Sequence, residues 1–348
     1  MSDRKLVFRF EELGPEYNDI VGKKCANLGK MIRMGLAVPT GFALSIDMYR
    51  EYTRLTQIND QLASYSEKYG DLKGAGIAEF QALSKQLRNT IENREMPPAL
   101  RELISNHYEM LCDESGMENL AVSVRSAGTQ SRPGMFETYL NVCGIDEVLD
   151  KVKKVWGSAY TPRAIAFRAN KGFPMLGDEL GVAITKMVNA RASGIVFTVN
   201  PVDGDASRIL LEANWGFGEG VVSGAESVDS FVVIKENLTI SDRNVGDKAK
   251  CVICSKNGAD WNEVPDNMRS MPCLSDEEII EIARIAKSTE ERLDAPQDME
   301  WAIDQDLVFP QSLFWLQTRK AKVAVKKTLS PAEHIAELMA RNLRGSTS

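Results

Sequence analysis

The stretch AVSVRSAGTQSRPGMFETYLNV, from Ala121 to Val142, constrains this chain more than any other. Leu120 to Val124 alternates apolar and polar residues with the period of a strand and brings Arg125 and Ser126 to its end. A loop of small residues follows, closes on Pro133-Gly134, and gives way to a second alternation from Phe136 to Val142. Two readings are open at this point. One is a plain glycine-bearing hairpin with an arginine at its root. The other is a flap over polyphosphate, in which glycines let backbone N–H groups approach an anion and the arginine adds forked donors.

The chain is long enough for two modest domains at 348 residues, and its 43% hydrophobic and 26% charged content is that of an ordinary folded protein. A net charge of −7 argues against a broad basic surface for nucleic acid, so phosphates would have to be met by local cations and metal. No apolar run reaches the length of a membrane span, and MSDRKLVFRF has no signal-peptide core, so the expected location is the cytoplasm. Six scattered cysteines are then expected as reduced thiols, several of them buried. Cys251 and Cys254 have the spacing of half a zinc site with Cys273 as a third candidate, but no fourth ligand follows nearby, and plain thiols are the other reading.

Taken in order, GKKCANLGKMIRM over residues 22–34 places Cys25, Leu28, Met31 and Ile32 at helical spacing, with Gly35 as a stop. Lys24 falls in the first turn, where an ammonium opposes the helix dipole and is better tolerated facing an anion. Ser45 is an N-cap for a helix from Ile46 to Leu55. Residues 59–114 read as polar helices, with Pro97-Pro98 opening one of them and His107 on a helix without an acid or nucleophile pattern around it. Ile145 to Tyr160 reads as a helix, and Thr161-Pro162 starts the next, on which Arg163 and Arg168 serve either phosphate or salt bridges.

From Gly181 the texture changes to short β-branched runs separated by turn residues, which argues an antiparallel sheet and a boundary near residue 180. ANWGFGEGVVSG packs glycines around Glu219 as a tight turn, a hinge or the wall of a nucleotide site. Ser275 to Glu278 is a capping box for a helix reaching about Leu293. In DMEWAIDQDLVFPQSLFWLQTRK, alternation puts Asp298, Glu300 and Ala302 on one strand face and Trp315, Gln317 and Arg319 on one face of the next. If the strands pair, a carboxylate, an amide oxygen and a guanidinium converge: Glu300 and Gln317 suit Mg²⁺ held against ATP, leaving Arg319 for the γ-phosphate. An exposed polar strand face is the alternative. Residues 332–344 read as an amphipathic helix that includes His334.

With these pieces in hand, the sequence resembles the N-terminal ATP-binding module of the pyruvate phosphate dikinase and phosphoenolpyruvate synthase family over residues 20–322. The resemblance implies an α+β ATP-grasp fold of two subdomains with the nucleotide between them. The expected divisions are 1–180 with the lysine motif and flap, 181–325 with the adenine strand and metal ligands, and 326–348 as a helical tail or linker. VGKKCANLGKM matches the opening motif and makes Lys24 the phosphate-contacting lysine. SVRSAGTQSRPGMFET makes Arg125 a phosphate ligand, with Gly134 in the flap and Thr138 at the nucleotide. Met187 and Val188 fall on the strand whose backbone meets adenine, and NWGFGEGVVSG brings Glu219 to the site. DMEWAI and FWLQTRK supply the metal ligands Glu300 and Gln317, and Arg319 for phosphate.

The sequence departs from the family at Lys23, which replaces a glycine, and at Thr185 and Lys186, where some members have Gln-Arg beside the adenine. Family members continue into a domain with a phosphorylatable histidine, and neither His107 nor His334 lies in that context. The expectation is a half-enzyme binding ATP and Mg²⁺ that phosphorylates a histidine on a separate subunit, ATP giving AMP and phosphate, with the group passed to an acceptor, phenol in the split architecture it most resembles. The competing expectations are a split phosphoenolpyruvate synthase, a subunit that only senses ATP, and a ligase that would make ADP.

Overall fold

A computed structural model of the chain describes residues 4–322 apart from 71, 73, 131, 133, 177, 223–226 and 256–257. The helix expected over 332–344, with His334, lies outside the described residues. In chain order the first half runs β1 (Val7–Arg9), α1 (Asn18–Val21), α2 (Lys23–Arg33), β2 (Gly41–Leu44), α3 (Ile46–Leu55), α4 (Asn59–Tyr69), α5 (Ile77–Glu92) and α6 (Pro98–Ser115). It continues through β3 (Val122–Ala127), β4 (Thr138–Val142), α7 (Ile145–Gly157), α8 (Pro162–Lys171) and β5 (Gly181–Lys186). Local chemistry starts these helices: Ser45 Oγ accepts from Met48 N at 3.2 Å, Thr161 Oγ1 accepts from Ala164 N at 3.2 Å, and Pro98 and Pro162 occupy the first turns of α6 and α8.

The five strands pair antiparallel in the order β1-β2-β5-β3-β4. Period-two alternation gives this sheet two unlike faces. Val122, Val124, Val182, Ile184, Phe42 and Leu44 enter one core with the apolar stripes of α3 to α8, including Tyr52, Leu87, Ile104 and Trp156. The opposite face carries the small residues Ala43, Ala127 and Ala183, which belong to a second core. Small side chains there let α2 lie close to the sheet, with Cys25, Ala26, Leu28 and Met31 buried.

The closest approach is at Gly22, the residue before α2. Its φ is +83°, and a Cβ there would stand 2.1 Å from the Ala127 carbonyl oxygen. Lys23 N donates to Gly128 O at 2.9 Å, which ties the first turn of α2 to the point where β3 gives way to the flap.

The second half runs β6 (Ala190–Phe197), β7 (Arg208–Trp215), α9 (Glu219–Val222), β8 (Asp229–Ile234), β9 (Thr239–Asn244), β10 (Lys250–Ser255), β11 (Gly258–Glu263), α10 (Asp266–Arg269), α11 (Asp276–Leu293), β12 (Gln297–Asp304) and β13 (Leu313–Lys320). Six strands form an antiparallel sheet in the order β13-β12-β6-β7-β8-β9, and β10 and β11 form a separate hairpin. The Ser275 capping box starts α11, whose Ile279, Ile282, Ala283 and Ala286 cover this sheet. The second core is continuous from the small-residue face of the first sheet through α2 to Ile209, Phe231, Trp301 and Trp315 of the second. The result is the mixed α+β build of two antiparallel sheets that the resemblance implies.

Three expectations from sequence change here. β5, assigned to the second half, pairs with β2 and β3, because its Val182 and Ile184 are needed to fill the first core. β3 continues to Ala127, so Arg125 sits inside the strand rather than at its end; Ser126 and Ala127 still have Val182 and Gly181 as partners. The register of β12 on β13 slips between Glu300 and Trp301, so Trp301 faces Trp315 in the core and Trp315 leaves the face that carries Gln317.

A fully buried ion pair closes the second half. Lys248 Nζ lies 2.5 Å from Asp229 Oδ1, and both side chains have no exposed surface. The Asp229 carboxylate also accepts from Gly246 N at 3.0 Å and Cys273 N at 2.8 Å. Asp229→Ala therefore strands a buried cation and two amides, and a loss of about 3–5 kcal/mol in urea unfolding is expected. Adding Lys248→Met recovers part of it by removing the orphaned charge; a single-variant loss under about 1 kcal/mol, the scale of a surface pair, would refute this account.

Candidate functional site

Where the two sheets face each other beside α2 they enclose a cleft of about 350 Å³. Its first wall is Ser123 and Arg125 of β3 with Thr185 and Lys186 of β5, continuing into Met187 and Val188 just past the strand. The facing wall is Ser193 and Gly194 of β6 with Glu300, Trp301 and Ala302 of β12. Leu140 of β4, Phe217 and Gly218 close a third side. The β10–β11 hairpin braces that side: Phe217 N donates to Val252 O at 2.7 Å, and Asn141 Nδ2 donates to Ser255 O at 2.8 Å.

The cleft and its margin gather the cations Lys24, Arg125 and Arg319 and the carboxylates Asp298 and Glu300 from α2 and both sheets. Arg125 Nη2 is 3.7 Å from Glu300 Oε2. Gln317 Nε2 donates to Glu300 Oε1 at 3.0 Å, which leaves the Gln317 amide oxygen as its remaining acceptor. Arg319 Nε donates to Asp298 Oδ2 at 2.7 Å. Half-buried Lys24 completes the group from the first turn of α2. Burial, then the Arg125 guanidinium, pushes its ammonium down from 10.5 to about 7, with Glu300 opposing the shift. Burial raises the Asp298 carboxyl, with Arg319 pulling against it and Glu300 adding to it. Arg125 Nε and Asp298 Oδ1 are buried without a hydrogen-bond partner among the described residues.

Arg125 and Glu300, from different sheets, line the cleft, and Lys24 of α2 with Gln317 and Arg319 of β13 lies beside it rather than in its lining. Arg319 is engaged by Asp298 rather than free, because Asp298 and Arg319 are opposed in the β12–β13 register. Met187 and Val188 reach the cleft, but in the turn after β5 rather than on a strand. Met187 N donates to Ala121 O at 2.9 Å, whereas the Met187 carbonyl and the Val188 N–H have no hydrogen-bond partner among the described residues.

The other expected residues stand apart. Thr138 opposes Arg125 in register but is exposed and does not line the cleft. Gly134 has φ +63°, and its carbonyl accepts from Arg163 Nη2 at 2.7 Å. Glu219 opens α9, and its side chain lies outside the described residues. Ser123 went unassigned, though the same alternation that placed Arg125 would have put it on that face; Thr185 and Lys186, noted from sequence only as departures beside the adenine, also line the cleft.

The two arginines of α8 anchor the flap instead of lining the cleft. Arg168, 2% exposed, lies 2.5 Å from Asp178, which also holds Arg132 of the flap at 2.6 Å. Arg88 of α5 binds Glu137 at the far end of the same loop at 2.6 Å. His107 is on α6, its Nδ1 2.8 Å from Leu103 O, and does not line the cleft. Among the described residues no cluster of three or more His, Cys, Asp or Glu is placed to hold a metal; Cys251 is buried, Cys254 is exposed, and neither forms a disulfide. No helix among them is long and apolar enough to cross a membrane.

Comparison with known proteins finds a match over residues 18–339 to the family described as pyruvate phosphate dikinase, AMP/ATP-binding domain. Curated relatives include a probable phosphoenolpyruvate synthase of Methanocaldococcus jannaschii, 37% identical over 86% of this chain and 26% of its own length. A probable phosphoenolpyruvate synthase of Staphylothermus marinus is 33% identical over 98% of this chain and 44% of its own. The phosphoenolpyruvate synthase of Aeropyrum pernix is 32% identical over 93% and 43% respectively. The chain thus spans less than half the length of these relatives.

The Lys24 environment has a pH signature. A depressed lysine is charged in both states below about pH 7, whereas above that the unfolded chain holds a proton the native state has released. Stability relative to Lys24→Met is therefore expected to rise between about pH 7 and the ordinary lysine value of 10.5, read by urea unfolding in matched buffers. A difference that stays flat across that window would show that Lys24 is not desolvated.

Proposed function

Since this chain belongs to the family of the pyruvate phosphate dikinase AMP/ATP-binding domain, we propose that it binds MgATP between its two sheets and phosphorylates a histidine carried by a separate subunit. The observation that carries this reading is the meeting of Arg125 from one sheet with Glu300 and Gln317 from the other. Arg125 faces Glu300 and Arg319 binds Asp298, while Lys24 has no close carboxylate among the described residues. A triphosphate with its metal exchanges both sets of partners: phosphate oxygens take Lys24, Arg125 and Arg319, and the carboxylates are released to the metal. Such an exchange leaves no buried charge uncompensated, which is what makes a cleft of this kind able to open to an anion in a chain of net charge −7.

The donor set suits Mg²⁺, which takes one or two protein oxygens and otherwise phosphate and water. Glu300 and the free amide oxygen of Gln317 are the holders, and the orphaned Asp298 Oδ1 is a further acceptor beside them. When bound, the ion neutralises charge on the bridging phosphates. The protein residues do the positioning. Lys24 and Arg125 hold the phosphate chain against the first sheet, the flap is kept in place by Asp178 and Arg163, and Arg319 holds the terminal phosphate. At the opposite end the Met187 carbonyl and Val188 N–H present an acceptor and a donor to the Watson–Crick edge of adenine. Lys186 lies next to them as an additional cation for the nucleotide.

In this reading ATP and water give AMP and phosphate, water taking the γ-phosphoryl group while the β-phosphoryl group is carried by the partner's histidine, and phenol is the acceptor, which makes the chain the small ATP-binding subunit of a phenylphosphate synthase. The names of the relatives favour a second acceptor, pyruvate, as in a split phosphoenolpyruvate synthase. Both share the first half-reaction.

That half-reaction is tested with β-labelled ATP and the copurifying histidine-bearing subunit. AMP and an acid-labile phosphate on the partner are expected, phenol or pyruvate then discharging it. Arg125→Ala and Glu300→Gln should each fold normally; losing one charge-assisted contact of about 1.5–3 kcal/mol slows labelling by about one to two decades. Formation of ADP alone, or full labelling by both variants, would overturn the assignment.

A further inference from the structure

Cys143 and Cys254 are exposed, whereas the other four cysteines are buried, and neither of the two lines the cleft. Cys143 follows β4, the edge strand of the first sheet. Cys254 belongs to β10, in the hairpin that braces the third side of the cleft through Val252 and Phe217. The two thiols therefore come from segments that only the tertiary structure joins.

Asn141 makes the junction. The β3–β4 register slips between Val122 and Val124, which puts an extra residue into β4, and Asn141 there takes φ +53°, a left-handed conformation that asparagine tolerates. Its Nδ2 donates to the carbonyl of Ser255, the residue after Cys254, at 2.8 Å. Its own carbonyl accepts from Cys143 Sγ at 3.8 Å. The backbones also meet, since a Cβ at Gly258 would lie 3.5 Å from Leu140 O. One asparagine thus holds one thiol and the neighbour of the other.

The thiols also sense each other. Burial and then Cys143 push the Cys254 thiol up, because a second negative charge so near is costly to form; burial and then Glu147 do the same for Cys143. Both are held as protonated thiols at neutral pH, so the pair stays reduced until an oxidant is supplied.

We propose that Cys143 and Cys254 form a redox modification site, closed to a disulfide by hydrogen peroxide. One thiolate takes a peroxide oxygen to become a sulfenic acid, and the other oxygen leaves as water. The second thiolate then attacks the oxidised sulfur, the S–S bond forms, and the sulfenic oxygen leaves as a second water. Two electrons pass from the sulfurs to the peroxide, and the two thiol protons end on the waters. The link fastens the hairpin to β4 beside Leu140 and Phe217, which close the third side of the cleft. On the ATP reading above, on which this consequence rests, the oxidised chain takes up MgATP more slowly because that side no longer parts.

The test treats the purified chain with a few equivalents of hydrogen peroxide, alkylates the remaining thiols and maps peptides without reduction. A peptide joining Cys143 to Cys254 is expected, is lost on adding dithiothreitol, and is absent from Cys143→Ser and Cys254→Ser. Since the link closes a long loop, oxidised wild type should melt about 3–6 °C above the reduced form, a shift that both serine variants lack. Stopped-flow uptake of MgATP should slow on oxidation in wild type and not in either variant. Sulfinic acids without a cross-link, or a cross-link between other cysteines, overturn the site. A cross-link that leaves MgATP uptake unchanged overturns its effect on the cleft, whereas a reduced chain that takes up no MgATP overturns the ATP reading and leaves the disulfide standing.

Discussion

The approach of Gly22 to the Ala127 carbonyl is the contact on which the rest of this architecture depends. It seats the first turn of α2 against the end of β3, and through the Lys23–Gly128 hydrogen bond it ties that turn to the start of the flap. Because α2 also packs into the core of the second sheet, this one backbone contact sets where both sheets stand relative to Arg125. Any side chain at position 22 would have to displace backbone rather than a mobile group. The small residues Ala43, Ala127 and Ala183 serve the same end by keeping the sheet face low under the helix.

Charge in the cleft follows from this packing. Arg125 and Glu300 come from different sheets and meet across the cleft, with α2 packed into the core that joins the sheets. The Asp298–Arg319 and Glu300–Gln317 contacts lie within one hairpin and form with it. Lys24 is the member without a close carboxylate, and burial next to a guanidinium lowers its ammonium to about 7. The most readily neutralised cation of the group is thus the one closest to the helix start, where backbone N–H groups already favour an anion. Second-layer contacts hold this arrangement: Asp178 gathers Arg132 and Arg168, and Arg163 caps the Gly134 carbonyl, so two arginines that looked able to reach phosphate instead fix the loop that covers it.

Much of the fold was legible wherever a local rule acts alone. The caps at Ser45, Thr161 and Ser275, the proline starts of α6 and α8, and the alternation of β12 and β13 each appear where residue chemistry puts them. Errors fell where a choice depended on partners. β5 looks like the strands after it because β-branched runs are alike, yet only the first core has room for Val182 and Ile184. The slip between Glu300 and Trp301 cannot be seen in alternation, since it arises from fitting two tryptophans into one core.

The sequence by itself determined which side chains share a face: period two sets Ser123 with Arg125, Asp298 with Glu300, and Gln317 with Arg319, whatever the fold. It also determined, by the resemblance of its motifs, the family to which the domain belongs. Only the tertiary structure decided which of these faces meet, that Arg319 is held by Asp298, that Arg163 and Arg168 serve the flap, and that Asn141 ties β4 to the β10–β11 hairpin. The physical reason is range. Alternation and capping act over a few residues along the chain, whereas burial, desolvation and charge pairing depend on distances between segments that only packing brings together.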